Sequence, residues 1–310
     1  MKVEWKGVYP AITTKFTLDD ELDFDAYDKN IVAQLEAGID GLVLGGSLGE
    51  ASVLTDDEKF GLLQHTRKLV DNKIPLVLNI AEQATKVAVN IARRAEDLGA
   101  DALMLLPPMR YKADDHETIV YFKEIAKETS LPIMIYNNPI DYKINITLDM
   151  FEELAECSNI EAVKESTRDI TNVTRMINRF GDRYKILCGV DPLALESLVM
   201  GADGWVAGLV DAFPKETVAI FRLVKAGRID EALNIYRWFL PVLELDIHPK
   251  LVQYIKLAEV MTGIGTETVR APRLSIEGAE REKVLNIINK ALAVRPELPE
   301  GSWGRQPVTA

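Results

Sequence analysis

Cysteine is scarce in this chain of 310 residues. The two present, Cys157 and Cys188, stand far apart and match no metal-site or disulfide spacing. That excludes a disulfide scaffold and fits a reducing cytoplasm, where the protein is expected to reside. Positive charge is the second shortage. Lys and Arg number 36 against 48 Asp and Glu, a formal net charge of −12, which argues against broad contact with nucleic acid or anionic membrane, because phosphate binding needs a positive footprint. An anionic substrate held by a few local donors remains compatible with it. The opening MKVEWKGVYP lacks the apolar stretch of a secretory signal, and no uninterrupted apolar run reaches the length of a membrane span. Phosphate-loop spacings are missing too: residues 45–50, GGSLGE, are glycine-rich but fit neither the dinucleotide nor the P-loop pattern.

What the chain does have is alternation. Eight short apolar, β-branched runs begin at Gly7, Gly41, Pro75, Ala102, Pro132, Ile160, Lys185 and Gly204. Each is nearly continuous in apolar residues, as parallel strands buried on both faces should be. Amphipathic stretches lie between them with their own signals. Thr55 and Glu58 read as a capping box, Thr147 as an N-cap, and Gly38 and Gly99 as left-handed helix ends. Eight strand–helix units within about 250 residues favour a closed (β/α)8 barrel over an open doubly wound sheet. From Pro214 onward the pattern is helical only. The expected organisation is a barrel over residues 1–227, C-terminal helices packed on it over 228–294, and an extended Pro- and Gly-rich tail over 295–310.

In such a barrel the active site lies where strands end. Strand two ends in GGSLGE, strand five in Tyr136-Asn137-Asn138-Pro139, and strand six in Lys164-Glu165-Ser166. A lysine closing an apolar strand requires explanation, since an ammonium is costly to desolvate. One reading is an ion pair with Glu165 or Glu50. The other is an amine with a depressed pKa, able to attack a carbonyl. Position alone divides these evenly. Tyr136 is either a buried aromatic with a satisfied hydroxyl or a proton shuttle for Lys164. Ser47 is either a turn cap or, with the amides of Gly46 and Leu48, a carboxylate-binding turn.

Taken together, the three strand-end motifs resemble the dihydrodipicolinate synthase / N-acetylneuraminate lyase family of class I Schiff-base barrels. Its G-[ST]-x-G-E turn is matched by Gly46 to Glu50, its Y-N-x-P by Tyr136 to Pro139, and its strand-six lysine by Lys164. The likeness runs from about Gly7 to about Leu292. The resemblance implies a barrel with C-terminal helices, usually a homotetramer built as a dimer of dimers. It also implies a small carboxylate substrate and no metal or organic cofactor.

Departures from the family pattern narrow the activity. The synthases carry an arginine shortly after Y-N-x-P, where this chain has Ile140, Asp141 and Tyr142. They use a second threonine where Leu48 stands. The tyrosine they lend across a dimer interface is replaced by Met109, with Tyr111 a shifted substitute. Sialic acid lyases place acidic side chains after strand seven; Gly189-Val190-Asp191-Pro192 keeps one, so Gly189 and Asp191 are expected beside the substrate, with a turn role the more ordinary one for Asp191. Segments such as GVYPAITTKF, GWVAGLVDAFP and HPKLVQYIKLAEVMTG are similar to the 1-pyrroline-4-hydroxy-2-carboxylate deaminases. That implies release of ammonia and 2-oxoglutarate semialdehyde, with a pyruvate-releasing aldolase, a synthase, or a non-enzymatic keto-acid sensor as alternatives. His248 is expected near the mouth or, more simply, at the surface.

Overall fold

A computed structural model describes residues 1–304, so the last six residues of the expected tail lie outside the described residues. Eight strands form: β1 (Gly7–Pro10), β2 (Leu42–Leu44), β3 (Leu76–Ile80), β4 (Ala102–Leu105), β5 (Ile133–Asn137), β6 (Ile160–Glu165), β7 (Lys185–Cys188) and β8 (Gly204–Ala207). All pair in parallel, in the order β1-β8-β7-β6-β5-β4-β3-β2. The ring closes where Ala11 bridges Val43 and the Ile12 amide donates to the Val43 carbonyl at 3.1 Å. Apart from Glu161 and Lys185, which are half-buried, every strand residue is buried, the property that made the runs read as continuously apolar. The strands entered by proline start one residue late, since proline has no amide to pair. Pro75 and Pro132 still serve the ladder through their carbonyls, which accept from Leu42 at 3.0 Å and Leu103 at 2.9 Å.

Helices α1 (Phe24–Ala37), α2 (Asp56–Val70), α3 (Thr85–Asp97), α4 (Asp115–Ala126), α5 (Pro139–Tyr142), α6 (Leu148–Leu154), α7 (Thr171–Phe180), α8 (Ala194–Val199) and α9 (Pro214–Lys225) follow the strands in turn, with α5 and α6 both between β5 and β6. Thr55 and Glu58 cap α2 reciprocally, Thr147 accepts from the Met150 amide at the start of α6, and Gly38 ends α1 at φ 86°. Beyond the barrel, α10 (Ile229–Leu243) packs on α9, and α11 (Leu251–Thr262) and α12 (Gly278–Ala293) follow it. The chain from Arg295 to Gly304 has neither helix nor strand and docks on the barrel: Arg295 pairs with Glu216, and the Gly304 amide donates to the Ala37 carbonyl at 2.8 Å. Among the described residues no helix is long and apolar enough to cross a membrane.

Candidate active site

The strand ends converge on a cavity of about 1010 Å³, the size expected for a small-molecule site. Its floor is set by register. Tyr136 on β5 stands opposite Lys164 on β6, which stands opposite Leu187 on β7. Lys164 is 7% exposed, and its Nζ lies 4.1 Å from the centroid of the Tyr136 ring. Among the described residues it has no hydrogen-bonded or ion-paired acid. The acids proposed from sequence are engaged elsewhere: Glu165 accepts from Thr167 and Asn172, and Glu50 from Lys256. Burial therefore holds the Lys164 amine below the ordinary lysine value, against the opposing pull of Tyr142, Asp246 and Asp191.

Gly189, just past β7, is what lets the Lys164 side chain lie flat. A Cβ there would sit 2.6 Å from Lys164 Cγ and 2.2 Å from Ser166 Oγ. Tyr136 is also buried, its hydroxyl accepts from Asn138 Nδ2 at 3.2 Å, and burial pushes its phenol up to about 12. It thus remains a proton donor through the neutral range.

Across the mouth, β2 is short because Gly45 turns the backbone at φ 62°, a left-handed conformation that glycine adopts without penalty. Asn79 Nδ2 holds that turn at the Gly45 carbonyl, 3.0 Å away. Gly46, Ser47 and Leu48 then line the cavity. The Ser47 hydroxyl bonds the hydroxyl of Tyr142, whose ring meets that of Tyr136 edge-on at 5.4 Å. Tyr142 was passed over in the sequence except as a non-arginine. Its signal was nevertheless local, since the Asn138 side chain caps α5 by accepting from the Asp141 amide, one turn that swings Tyr142 back over Tyr136.

Asp191 sits elsewhere than a substrate contact would require. It is 1% exposed and does not line the cavity. Its oxygens accept from Trp205 Nε1 at 2.8 Å, the Gly208 amide at 3.1 Å and the Leu209 amide at 2.6 Å. With those donors it supports the wall. Among the acids that line the cavity, Asp246 comes from a 3-10 turn (Glu244–Ile247) after α10 that no strand-end reading reaches. Met109 lines the cavity, whereas Tyr111 is 58% exposed outside it. His248 is an exposed rim residue stacked on Tyr254 at 4.5 Å. Lys59, Arg110, Arg168 and Arg273 also line the mouth, against Asp56, Glu82 and Asp141; Lys59 is paired with Asp56 and Glu82, which leaves the three arginines as the local donors for an anionic ligand.

Residues 4–291 match the model of the dihydrodipicolinate synthetase family. The 4-hydroxy-tetrahydrodipicolinate synthase of Thermodesulfovibrio yellowstonii is 30% identical over 287 residues, 93% of this chain and 98% of that one. The same-named enzyme of Methylacidiphilum fumariolicum SolV superposes with a TM-score of 0.89 at 28% identity, covering 93% of this chain and 96% of that chain. A chloride-inhibited dihydrodipicolinate synthase of Acinetobacter baumannii, solved with pyruvate, gives 0.87 at 25% identity over 92% and 98% of the two chains. The chain belongs to the dihydrodipicolinate synthetase family.

Proposed function

With that membership as premise, we propose that the chain is a class I Schiff-base lyase that deaminates 1-pyrroline-4-hydroxy-2-carboxylate. The observation that carries the reading is the Lys164 amine: buried, without an acid partner among the described residues, and 4.1 Å over the Tyr136 ring. The substrate carboxylate docks on Ser47 and the Leu48 amide. Lys164 Nζ adds to C2 of the cyclic imine, and the C2–N1 bond breaks as N1 takes a proton, leaving a lysine-bound Schiff base and a free amine at C5. The Schiff base is an electron sink that acidifies C3, so the 4-hydroxyl leaves as water. Tautomerisation and two hydrolyses release ammonia and 2-oxoglutarate semialdehyde. Tyr136 passes protons during addition and collapse, and the Ser47–Tyr142 pair extends that path within one chain.

The choice of substrate rests on what stands after Y-N-x-P. Ile140, Asp141 and Tyr142 stand there, where the synthases carry an arginine for the second substrate's carboxylate, and the Tyr142 hydroxyl is bonded to Ser47. The names of the relatives favour a second reading, condensation of pyruvate with an aldehyde acid. Borohydride reduction with substrate should label Lys164 covalently; an adduct on another lysine, or none, would overturn the chemistry. Ammonia release from the hydroxylated imine acid, measured beside pyruvate consumption with aspartate semialdehyde and pyruvate release from 2-keto-3-deoxy acids, separates the deaminase from the synthase and the aldolase.

A further inference from the structure

Two carboxyl groups flank Lys164, and their surroundings differ. Asp191 receives an indole N–H and two backbone amides. Asp246 receives one amide, from Asp191, at 3.2 Å on Oδ2. Charge is better stabilised by more donors, so Asp191 is the ionised member and Asp246 holds the proton. Burial, then the neighbouring Asp191 charge, pushes the Asp246 carboxyl up to about 8.

The placement of Asp246 is equally particular. Its Oδ1 lies above Gly208, where an added Cβ would stand 2.6 Å from it, and both residues line the cavity. No donor reaches Oδ1 from the described residues. Asp246 lines the same cavity as Lys164 and Tyr136, and when ionised its charge bears on both. The other charged or titratable groups around it are Asp191, Arg168 and, at the rim, His248.

We infer that Asp246 is the acid that receives the substrate's distal hydroxyl and protonates it as it departs, an assignment that rests on the deaminase reading above. The C4–O bond breaks with its electron pair on oxygen, and Asp246 Oδ1 supplies the proton that makes the leaving group water. The C3–H pair becomes the C3=C4 bond, and the C3 proton passes through Tyr136 to the amine freed at C5. Asp246, now a carboxylate, regains its proton from C5 as the amine end tautomerises. One carboxyl thus serves twice and ends the cycle as it began.

The test compares Asp246→Asn with the parent enzyme using two probes. Pyruvate lacks the distal hydroxyl, so its borohydride-trapped adduct on Lys164 reports Schiff-base formation alone and should still form at saturating pyruvate. Ammonia release from the hydroxylated imine acid should fall roughly a hundredfold in kcat with little change in KM, the usual scale for losing a general acid. Borohydride should then trap an adduct on Lys164 heavier than the dehydrated one by one water. The parent's kcat should decline as pH rises through about 8, where the acid loses its proton, and the variant should lack that limb. Gly208→Ala, which crowds Oδ1 and leaves the lysine untouched, should reproduce the stalled adduct. Undiminished ammonia release in Asp246→Asn would overturn the assignment while leaving the deaminase reading intact. So would loss of the pyruvate adduct together with ammonia release, since Asp246 would then serve Lys164 itself. A parent enzyme that traps pyruvate but releases no ammonia would overturn both.

Discussion

Two regions of this molecule bury lysines, and they solve the problem of desolvation in opposite ways. Beside the loops that follow β1 and β2, Lys15 pairs with Glu259 and Lys256 with Glu50, each at 2.5 Å and with all four side chains at 0% exposure. Thr13 and the Thr268 carbonyl take up further bonds of those groups. Each of these ammonium groups is held in place by a carboxylate, and although burial lowers Lys256 to about 8, Glu50 opposes the shift. At the floor of the mouth, Lys164 is nearly as buried and faces an aromatic ring instead. A paired lysine spends its amine on a structural bond; an unpaired one keeps a lone pair for chemistry.

The largest expected effect tests that contrast directly. Lys164→Met should abolish turnover, by roughly 10⁴-fold or more, as removal of a covalent nucleophile does. It should leave the unfolding midpoint unchanged or raised, because a desolvated amine with no partner is replaced by an apolar chain. Glu259→Gln should do the reverse. It strands the Lys15 ammonium and should cost about 3–5 kcal/mol in denaturant unfolding. If both variants lose stability equally, the distinction between the two regions fails. Third, Tyr142→Phe should lower kcat about a hundredfold, the scale of one lost proton-transfer group, with the pyruvate adduct still trappable at saturating pyruvate. Fourth, adduct formation should rise with pH as Lys164 gives up its proton and level off below the ordinary lysine value of 10.5. A rise continuing through 10.5 would place Lys164 with ordinary surface lysines. The smallest effect is Ser47→Ala, which removes one hydrogen bond from the carboxylate turn and should raise KM about fivefold, about 1 kcal/mol.

These regions also mark how far the sequence could be read. The barrel was legible because strands buried on both faces have an unbroken apolar signature, and strand ends in a barrel place side chains predictably at one mouth. Lys164, Tyr136, Gly46, Ser47 and Leu48 are expected at the mouth on that rule and Gly189 through the family resemblance, and all six line the cavity. Asp191 is offered as a substrate contact by the family resemblance, with a turn role the more ordinary one, and its oxygens turn toward Trp205 and the loop after β8, because where a carboxylate points depends on donors brought by other strands. Asp246 has no local signal at all. It arrives through the docking of a turn beyond the barrel, and tertiary placement of this kind leaves no period in the chain. The Glu50–Lys256 pair joins residues 206 positions apart, and periodicity cannot see it either. Glu50, which the sequence offers as an ion-pair partner for Lys164, gives its carboxylate to Lys256 on α11 and to the Arg270 amide instead.

That clamp has a consequence for how the enzyme comes into being. Glu50 accepts from Lys256 and from the Arg270 amide, and Arg273 lies 3.6 Å from it. The turn that carries Ser47 is therefore braced by segments translated near the end of synthesis, as is the turn that delivers Asp246. A nascent barrel emerging from the ribosome can lay down its strands in order, N-terminal first, yet its mouth stays unbraced until nearly all of the chain is out. Completion of the mouth is thus tied to completion of the polypeptide, and a truncated product ending after α9 would keep Lys164 while lacking the residues that brace the turn bearing Ser47 and supply Asp246.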